Sequence, residues 1–142
     1  MRRVAPAQPT HAVRIAQVQS AATPHPWTEG QVRDTLNTDT TRAWVLGEDA
    51  VGHILVSVAG PSADVLTIAV HPEHQRQGYA RALLQHAHAM LRDQGVLDVF
   101  LEVRDTNTPA IGLYDGAGYT TVGQRTAYYR DGSDARVMKL EL

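Results

Sequence analysis

The apolar residues of this chain change period along its length, and the changes mark out its elements. Leu66–Val70 is a continuous apolar run with β-branched side chains that stops at His71-Pro72, the mark of a buried strand. After Gly78, residues Ala80, Leu83, Leu84, Ala87 and Leu91 recur at helical spacing on one face, and Gln94-Gly95 offers a left-handed stop. Upstream, Val13 and Ile15 alternate, so His11–Ala16 is expected to be a first strand, after a loose tail over residues 1–12 with Pro6 and Pro9. Gln17–Ala22 reads as a short helical turn, and Thr23–Trp27 as a rigid loop. Thr28 is placed to N-cap a helix with Glu29 in its first turn, running to about Leu36. Thr41–Leu46 and Ala50–Ala59 read as strands about a hairpin at Gly47-Glu48-Asp49, and Gly60-Pro61-Ser62 turns the chain into the central strand.

Residues 96–104 give another strand. Thr108–Asp115 is a short helix, with Thr108 as N-cap and Pro109 at N1, ended by Gly116-Ala117-Gly118. Thr120–Tyr129 and Ala135–Glu141 form a last hairpin across Asp131-Gly132-Ser133. No repeat or linker divides residues 1–142, which read as a single domain. Hairpin strands, one β-α-β crossover and a terminal hairpin make an α+β (mixed α/β) layer structure.

Composition narrows the function. With 142 residues, 43% of them hydrophobic, the chain can bury a real core. A net charge of −2 does not indicate a nucleic-acid footprint. No apolar run is long enough to span a membrane. Met1–Pro6 is basic without an apolar signal core, so a cytoplasmic location is expected. Without cysteine there is no disulfide, thiolate metal site or cysteine nucleophile. His86 and His88 are two apart on a helix and point to different faces, while His71 and His74 share a loop with Glu73. They read as solvated or packing residues, and no metal is expected.

The strand–turn–helix at Leu66–Leu91 is the first candidate for chemistry. A helix N-terminus offers unpaired N–H groups and a dipole that favours anions; Gly78 admits close approach and Arg76 adds charge. The alternative is an ordinary strand–helix connection. The motif is neither G-x-G-x-x-G nor a Walker loop. On the 96–104 strand, Glu102 shares a face with Phe100 and Arg104, opposite Leu101 and Val103. It is either a general base or a solvated charge paired with Arg104 or Arg76. Tyr114 on the short helix is either a proton donor or a core tyrosine. Asn107 either contacts a ligand or closes a turn, and Trp27 either packs at a helix start or walls a cleft.

Gln75–Ala80 resembles the acetyl-CoA-binding motif of the GNAT acyltransferases, Gln/Arg-x-x-Gly-x-Gly/Ala, with Ala80 in the last place. Longer runs carry the resemblance further: Pro26-Trp27-Thr28-Glu29, IAVHPEHQRQGYARALLQH, LEVRDTNTPAIGLYDGAGY, and Tyr128-Tyr129 before Asp134-Ala135. They resemble the RimI group within that family, the ribosomal-protein-alanine N-acetyltransferases, over most of the chain from Pro26 onward. One departure is His71, which stands where an acidic residue is common.

The resemblance implies a GNAT fold, with a central, mostly antiparallel twisted sheet of about six or seven strands and about four helices. It implies acetyl-CoA as co-substrate, held through the backbone of Ile68, Ala69 and Val70, by Arg76, Gln77, Gly78, Tyr79, Ala80 and Arg81 at the pyrophosphate, and by Asn107. It makes Glu102 the general base and Tyr114 the general acid, with Tyr128 and Tyr129, and on the same side Trp27 and Glu29, near the acceptor. The acceptor implied is a protein N-terminus, a ribosomal protein by preference; the enzyme would work as a monomer or weak homodimer, without nucleic acid or membrane. A small-molecule amine or lysine as acceptor, and a non-catalytic acyl-CoA-binding regulator, are the competing readings. A phenol (pKa ~10) protonates a thiolate (~8.5) uphill by roughly 2 kcal/mol. A peptide α-amine (pKa ~7.8) is roughly 10–15% neutral at pH 7 and a lysine (~10.4) about 0.04%, so a carboxylate base suits the α-amine better.

Overall fold

The computed structural model describes residues 2–142. Strands β1 (Val4–Pro6), β2 (Thr41–Leu46), β3 (Gly52–Ala59), β4 (Ser62–Val70), β5 (Asp98–Arg104), β6 (Thr120–Arg125) and β7 (Ala135–Glu141) form one sheet in the order β1-β2-β3-β4-β5-β7-β6. Helices α1 (Ala12–Ala22), α2 (Glu29–Leu36), α3 (Tyr79–Asp93) and α4 (Thr108–Gly116) flank it. Every neighbouring pair is antiparallel except β4 and β5. That parallel pair is the β-α-β crossover through α3.

The β4–β5 ladder is short, joining only Ser62 to Asp98, Ala63 to Val99 and Asp64 to Phe100. Beyond it the two strands part. The parting begins where β4 carries a bulge: Val56 of β3 faces Val65 but Leu55 faces Thr67, leaving Leu66 as the extra residue. A bulge bends its strand and re-aims the side chains after it.

Two cores hold the layers. On one face, Leu83, Leu84, Ala87 and Leu91 of α3 and Tyr114 of α4 pack on Ile54, Val56, Val99, Leu101, Val103 and Met138. On the other, Ala12 and Ile15 of α1 and Val32 of α2 pack on Val45 and Leu55. Strand β3 is thus buried on both faces, which explains the continuous apolar stretch Ile54-Leu55-Val56 at its centre. The helical spacing read in α3 is the buried face; each of its fully buried leucines contributes about 1.5–3 kcal/mol over exposure. Gly95, with φ +85°, ends that helix as expected.

Several boundaries differ from the sequence reading. His11–Ala16 is not a strand: the stretch opens α1, whose buried face is Ala12, Ile15, Val18 and Gln19, while Val13 points to solvent at 46% exposure. A two-residue alternation hid a longer helical period, because its last member is polar. The first strand lies upstream in the expected tail, where β1 pairs with β2 at the sheet edge, a place that tolerates Pro6. Helix α4 is N-capped by Asn107, whose side chain accepts from the Ala110 N–H at 3.3 Å; Thr108 is already its first residue. Strand β5 starts at Asp98, and β6 stops at Arg125, so residues 126–134 are loop. Thr28 caps α2 as read, in a reciprocal box: its hydroxyl accepts from the Gln31 N–H at 3.1 Å and its own N–H donates to Gln31 Oε1 at 2.9 Å.

Candidate active site

The parting of β4 and β5 opens a cleft of about 1030 Å³ that runs through the sheet. Its walls are the free edge of β4 from Val65 to Val70, residues Leu101–Arg104 of β5, the start of α4, the α1–α2 loop at Ala22–His25, and Tyr129–Asp131 of the β6–β7 loop. Past Asp64 that edge of β4 has no ladder partner, so its backbone groups are available to a ligand.

On the α3 side the wall is made of backbone. The Gln75 amide donates to the Val70 carbonyl at 2.9 Å and pins the loop. Arg76 (φ +63°) and Gly78 (φ +78°) then take left-handed conformations on either side of Gln77. Left-handed residues in such a turn gather N–H groups into an anion-binding concavity. Gly78 is also the N-cap of α3, and no side chain satisfies the helix N-terminus there. A 15-residue helix thus presents free N–H groups and its positive dipole end beside Ala80, which lines the cleft. These features fit a pyrophosphate. Arg76 and Gln77 are exposed at the same mouth. Tyr79 packs on the main core, and Arg81 donates to the Gly116 carbonyl at 3.0 Å, bracing α3 against the end of α4. Asn107 closes the turn into α4 and also lines the cleft.

Tyr114 sits in the α4 wall, 7% exposed, its ring edge-on to Tyr119 at 5.7 Å. Burial, aided by Tyr129, pushes its pKa up to about 12, so at neutral pH it is a proton donor only. Tyr119 is held in turn by His88, whose Nε2 lies 2.7 Å from its hydroxyl.

The opposite mouth is made of charged and aromatic side chains. Leu101 and Val103 face the main core, which turns Glu102 to the other face, as the alternation required. Arg125 Nε lies 3.4 Å from the Glu102 carboxylate. The same carboxylate raises the pKa of the nearby Tyr128 hydroxyl. Arg104 donates to Asp131 at 2.8 Å and stacks 4.0 Å above the Tyr129 ring centroid. Hydrogen bonds from Ser133, and then Arg104, hold Asp131 down at about 2.

Of the residues singled out from sequence, Ile68, Ala69, Val70, Ala80, Glu102, Asn107, Tyr114 and Tyr129 line the cleft, whereas Arg76, Gln77, Gly78, Tyr79, Arg81 and Tyr128 stand outside its lining. Trp27 and Glu29 do not line it either. The capping box turns the chain so that Trp27 packs on the second core, and Glu29 pairs with Arg33 along α2; neither lines the cleft. Thr23, Pro24 and His25 take that place. Thr67 and Asp131 line the cleft too. Thr67 carried a readable signal, a polar residue inside an apolar strand. Among the described residues no three His, Asp or Glu side chains group to hold a metal, and no helix is long and apolar enough to cross a membrane.

Comparison with known proteins defines the class. Residues 12–119 match the Acetyltransferase (GNAT) family, and the chain belongs to it. It is an N-acetyltransferase whose acetyl donor is acetyl-CoA. The chain is 34% identical over 133 residues to the ribosomal protein bS18-alanine N-acetyltransferase of Escherichia coli (strain K12), covering 88% of this chain and 87% of that one. The crystal structure of the ribosomal-protein-S18-alanine N-acetyltransferase from Escherichia coli superposes with a TM-score of 0.93 at 30% identity, over 99% of this chain and 94% of that one. An N-alpha-acetyltransferase of Saccharolobus solfataricus is 40% identical over 75 residues, 52% of this chain and 45% of that protein.

Proposed function

We propose that this enzyme acetylates the N-terminal α-amine of a protein, with the N-terminal alanine of a ribosomal protein as its acceptor in the cytoplasm. One observation carries the catalytic part: an exposed carboxylate, Glu102, and a buried phenol, Tyr114, face one cleft from different sides. Similarity to the bS18-alanine enzyme over most of both chains supports the acceptor class.

In this reading the neutral amine enters from the Glu102 mouth and attacks the thioester carbon. The N–C bond forms, the C–S bond breaks, and the amine proton passes to Glu102, directly or through a water. Backbone N–H groups of Ile68–Val70 polarise the carbonyl, and Tyr114 protonates the departing sulfur. The structure sharpens the energetics of that last step. A phenol at about 12 is further from a thiol at ~8.5 than an ordinary tyrosine is. The same burial raises a thiol held beside it, which narrows the gap. Transfer is direct, with no covalent enzyme intermediate.

The test is acetyl transfer from acetyl-CoA to two peptides, followed by mass spectrometry. One carries a free N-terminal alanine; the other is N-terminally blocked and contains lysine. Mass gain on the free-alanine peptide alone is the expected result. Gain on the lysine peptide alone would refute the α-amine reading, and gain on neither, with acetyl-CoA bound, would point to a small amine.

A further inference from the structure

Two polar residues interrupt buried surfaces, Gln19 on α1 and Thr67 on β4, and they meet. Gln19 is 1% exposed. Its Oε1 accepts the Trp27 backbone N–H at 3.3 Å. A backbone N–H can only donate, so this contact decides which end of the amide is oxygen. Nε2 then donates both its hydrogens, to Thr67 Oγ1 at 2.8 Å and to His53 Nε2 at 2.8 Å. His53 is 0% exposed, and its accepting Nε2 puts the ring hydrogen on Nδ1, which has no partner. Burial keeps that ring neutral. The arrangement orders Thr67 from behind: its oxygen accepts from Gln19, and its own hydrogen remains to be given.

The direction of that hydrogen follows from the strand. Thr67 stands opposite Leu55, on the α1 face of the sheet, while its neighbour Ile68 packs on the main core. That is the face on which Glu102 emerges across the cleft, and Thr67 lines the cleft. No acceptor for the Thr67 hydroxyl exists among the described residues. We propose that Thr67 donates a hydrogen bond to the carbonyl oxygen of the acceptor's first residue, with Gln19, His53 and the Trp27 N–H as the positioning relay behind it. The inference rests on the α-amine reading above and explains its selectivity. An α-amine has a carbonyl on the neighbouring carbon; a lysine ε-amine has only methylenes there. A site built around a donor discriminates against the acceptor that leaves it unpaired.

The experiment compares an alanine-initial peptide with the same peptide whose first amide carbonyl is reduced to a methylene, at saturating acetyl-CoA. Wild-type kcat/KM should be about tenfold or more lower on the reduced peptide. Thr67→Val should lower kcat/KM about tenfold on the ordinary peptide, mostly through KM, and leave the reduced peptide within about twofold. Thr67→Ser should restore the difference, and acetyl-CoA affinity should not change. Gln19→Leu should raise KM for the ordinary peptide only, which a general loss of packing would not do. Equal wild-type rates on both peptides would overturn the proposal without any variant. So would a Thr67→Val loss shared by both peptides, or a weakened acetyl-CoA affinity, which would place Thr67 on the donor. Failure of the α-amine reading is seen separately, as wild-type transfer to lysine peptide alone.

Discussion

The two mouths of the cleft are built from different material. Toward α3 the surface is peptide backbone: the free edge of β4, two left-handed residues, and a helix N-terminus without a side-chain cap. Toward the β6–β7 loop it is side chains: Glu102 with Arg125 and Tyr128, Arg104 with Asp131 and Tyr129. A donor that is always the same molecule can be met by backbone geometry, which tolerates wide sequence change. An acceptor must be chosen, and choice is made with side chains on a loop that can vary without disturbing the sheet.

The sharpest test of this division removes one proposed proton carrier at a time. Glu102→Gln should lower kcat by about 10²–10⁴-fold, and Tyr114→Phe by about 10²-fold, while calorimetry shows acetyl-CoA binding as in wild type. Because Tyr114 keeps its proton up to about 12, wild-type kcat should show no alkaline fall below about pH 10. A fall centred near 9, or weaker acetyl-CoA binding by Glu102→Gln, would break the division.

Acid should also act on the cleft wall at Thr67, because a buried histidine stands behind it. Burial lowers the folded His53 pKa from 6.5 to about 4. The folded state therefore prefers the neutral ring, and the unfolded state binds the proton more readily. The stabilisation is complete above about pH 6.5 and is lost as the pH falls toward 4, at up to about 1.4 kcal/mol per unit. Urea unfolding at pH 7 and pH 5 measures it, and His53→Phe should reduce the difference without abolishing it, because burial lowers His88 to about 4 as well.

Gly78→Ala tests the other mouth. A Cβ there meets nothing within 4 Å, so the cost is the left-handed backbone, about 1–2 kcal/mol. Acetyl-CoA should bind several-fold more weakly, with the peptide KM unchanged. Arg125→Ala should be the smallest change. Its ion pair is exposed, so thermal unfolding should move by under about 1 kcal/mol, and the peptide KM should change a few-fold with no effect on acetyl-CoA. A reversed pattern in either variant would merge the two mouths into one.

Sequence and structure agree where one signal dominates. The α3 face, the β5 alternation that exposes Glu102, and the Thr28 cap were legible because period and capping chemistry are local. Helix α1 was not, since Gln19 sits on its buried face and serves a hydrogen-bonded relay in place of apolar packing. Strand β1 is three residues long with a proline, and only its pairing to β2 makes it a strand. Trp27 and Glu29 were assigned to the acceptor side by motif, but the turn at Thr28 sends both away and leaves Thr23–His25 at the cleft. Where a loop side chain ends up depends on contacts distant in sequence, and no local pattern encodes them.

The three-pair ladder between β4 and β5 also bears on the order in which the chain assembles. It divides the sheet into two blocks, β1–β4 and β5–β7, each made of strands consecutive along the chain. The β2–β3, β3–β4 and β6–β7 hairpins close short loops, whereas the seam, like the β1–β2 and β5–β7 pairings, joins residues more than 30 apart, and it has only three residue pairs to reward that closure. The hypothesis is that the blocks zip independently and the seam closes last, which pulse-labelled hydrogen exchange would register as late protection at Ala63, Asp64 and Val99. Protection of the seam before the hairpins would sink it. On this ordering the cleft does not exist until the final pairing, and acetyl-CoA can capture the finished fold but cannot guide the chain toward it.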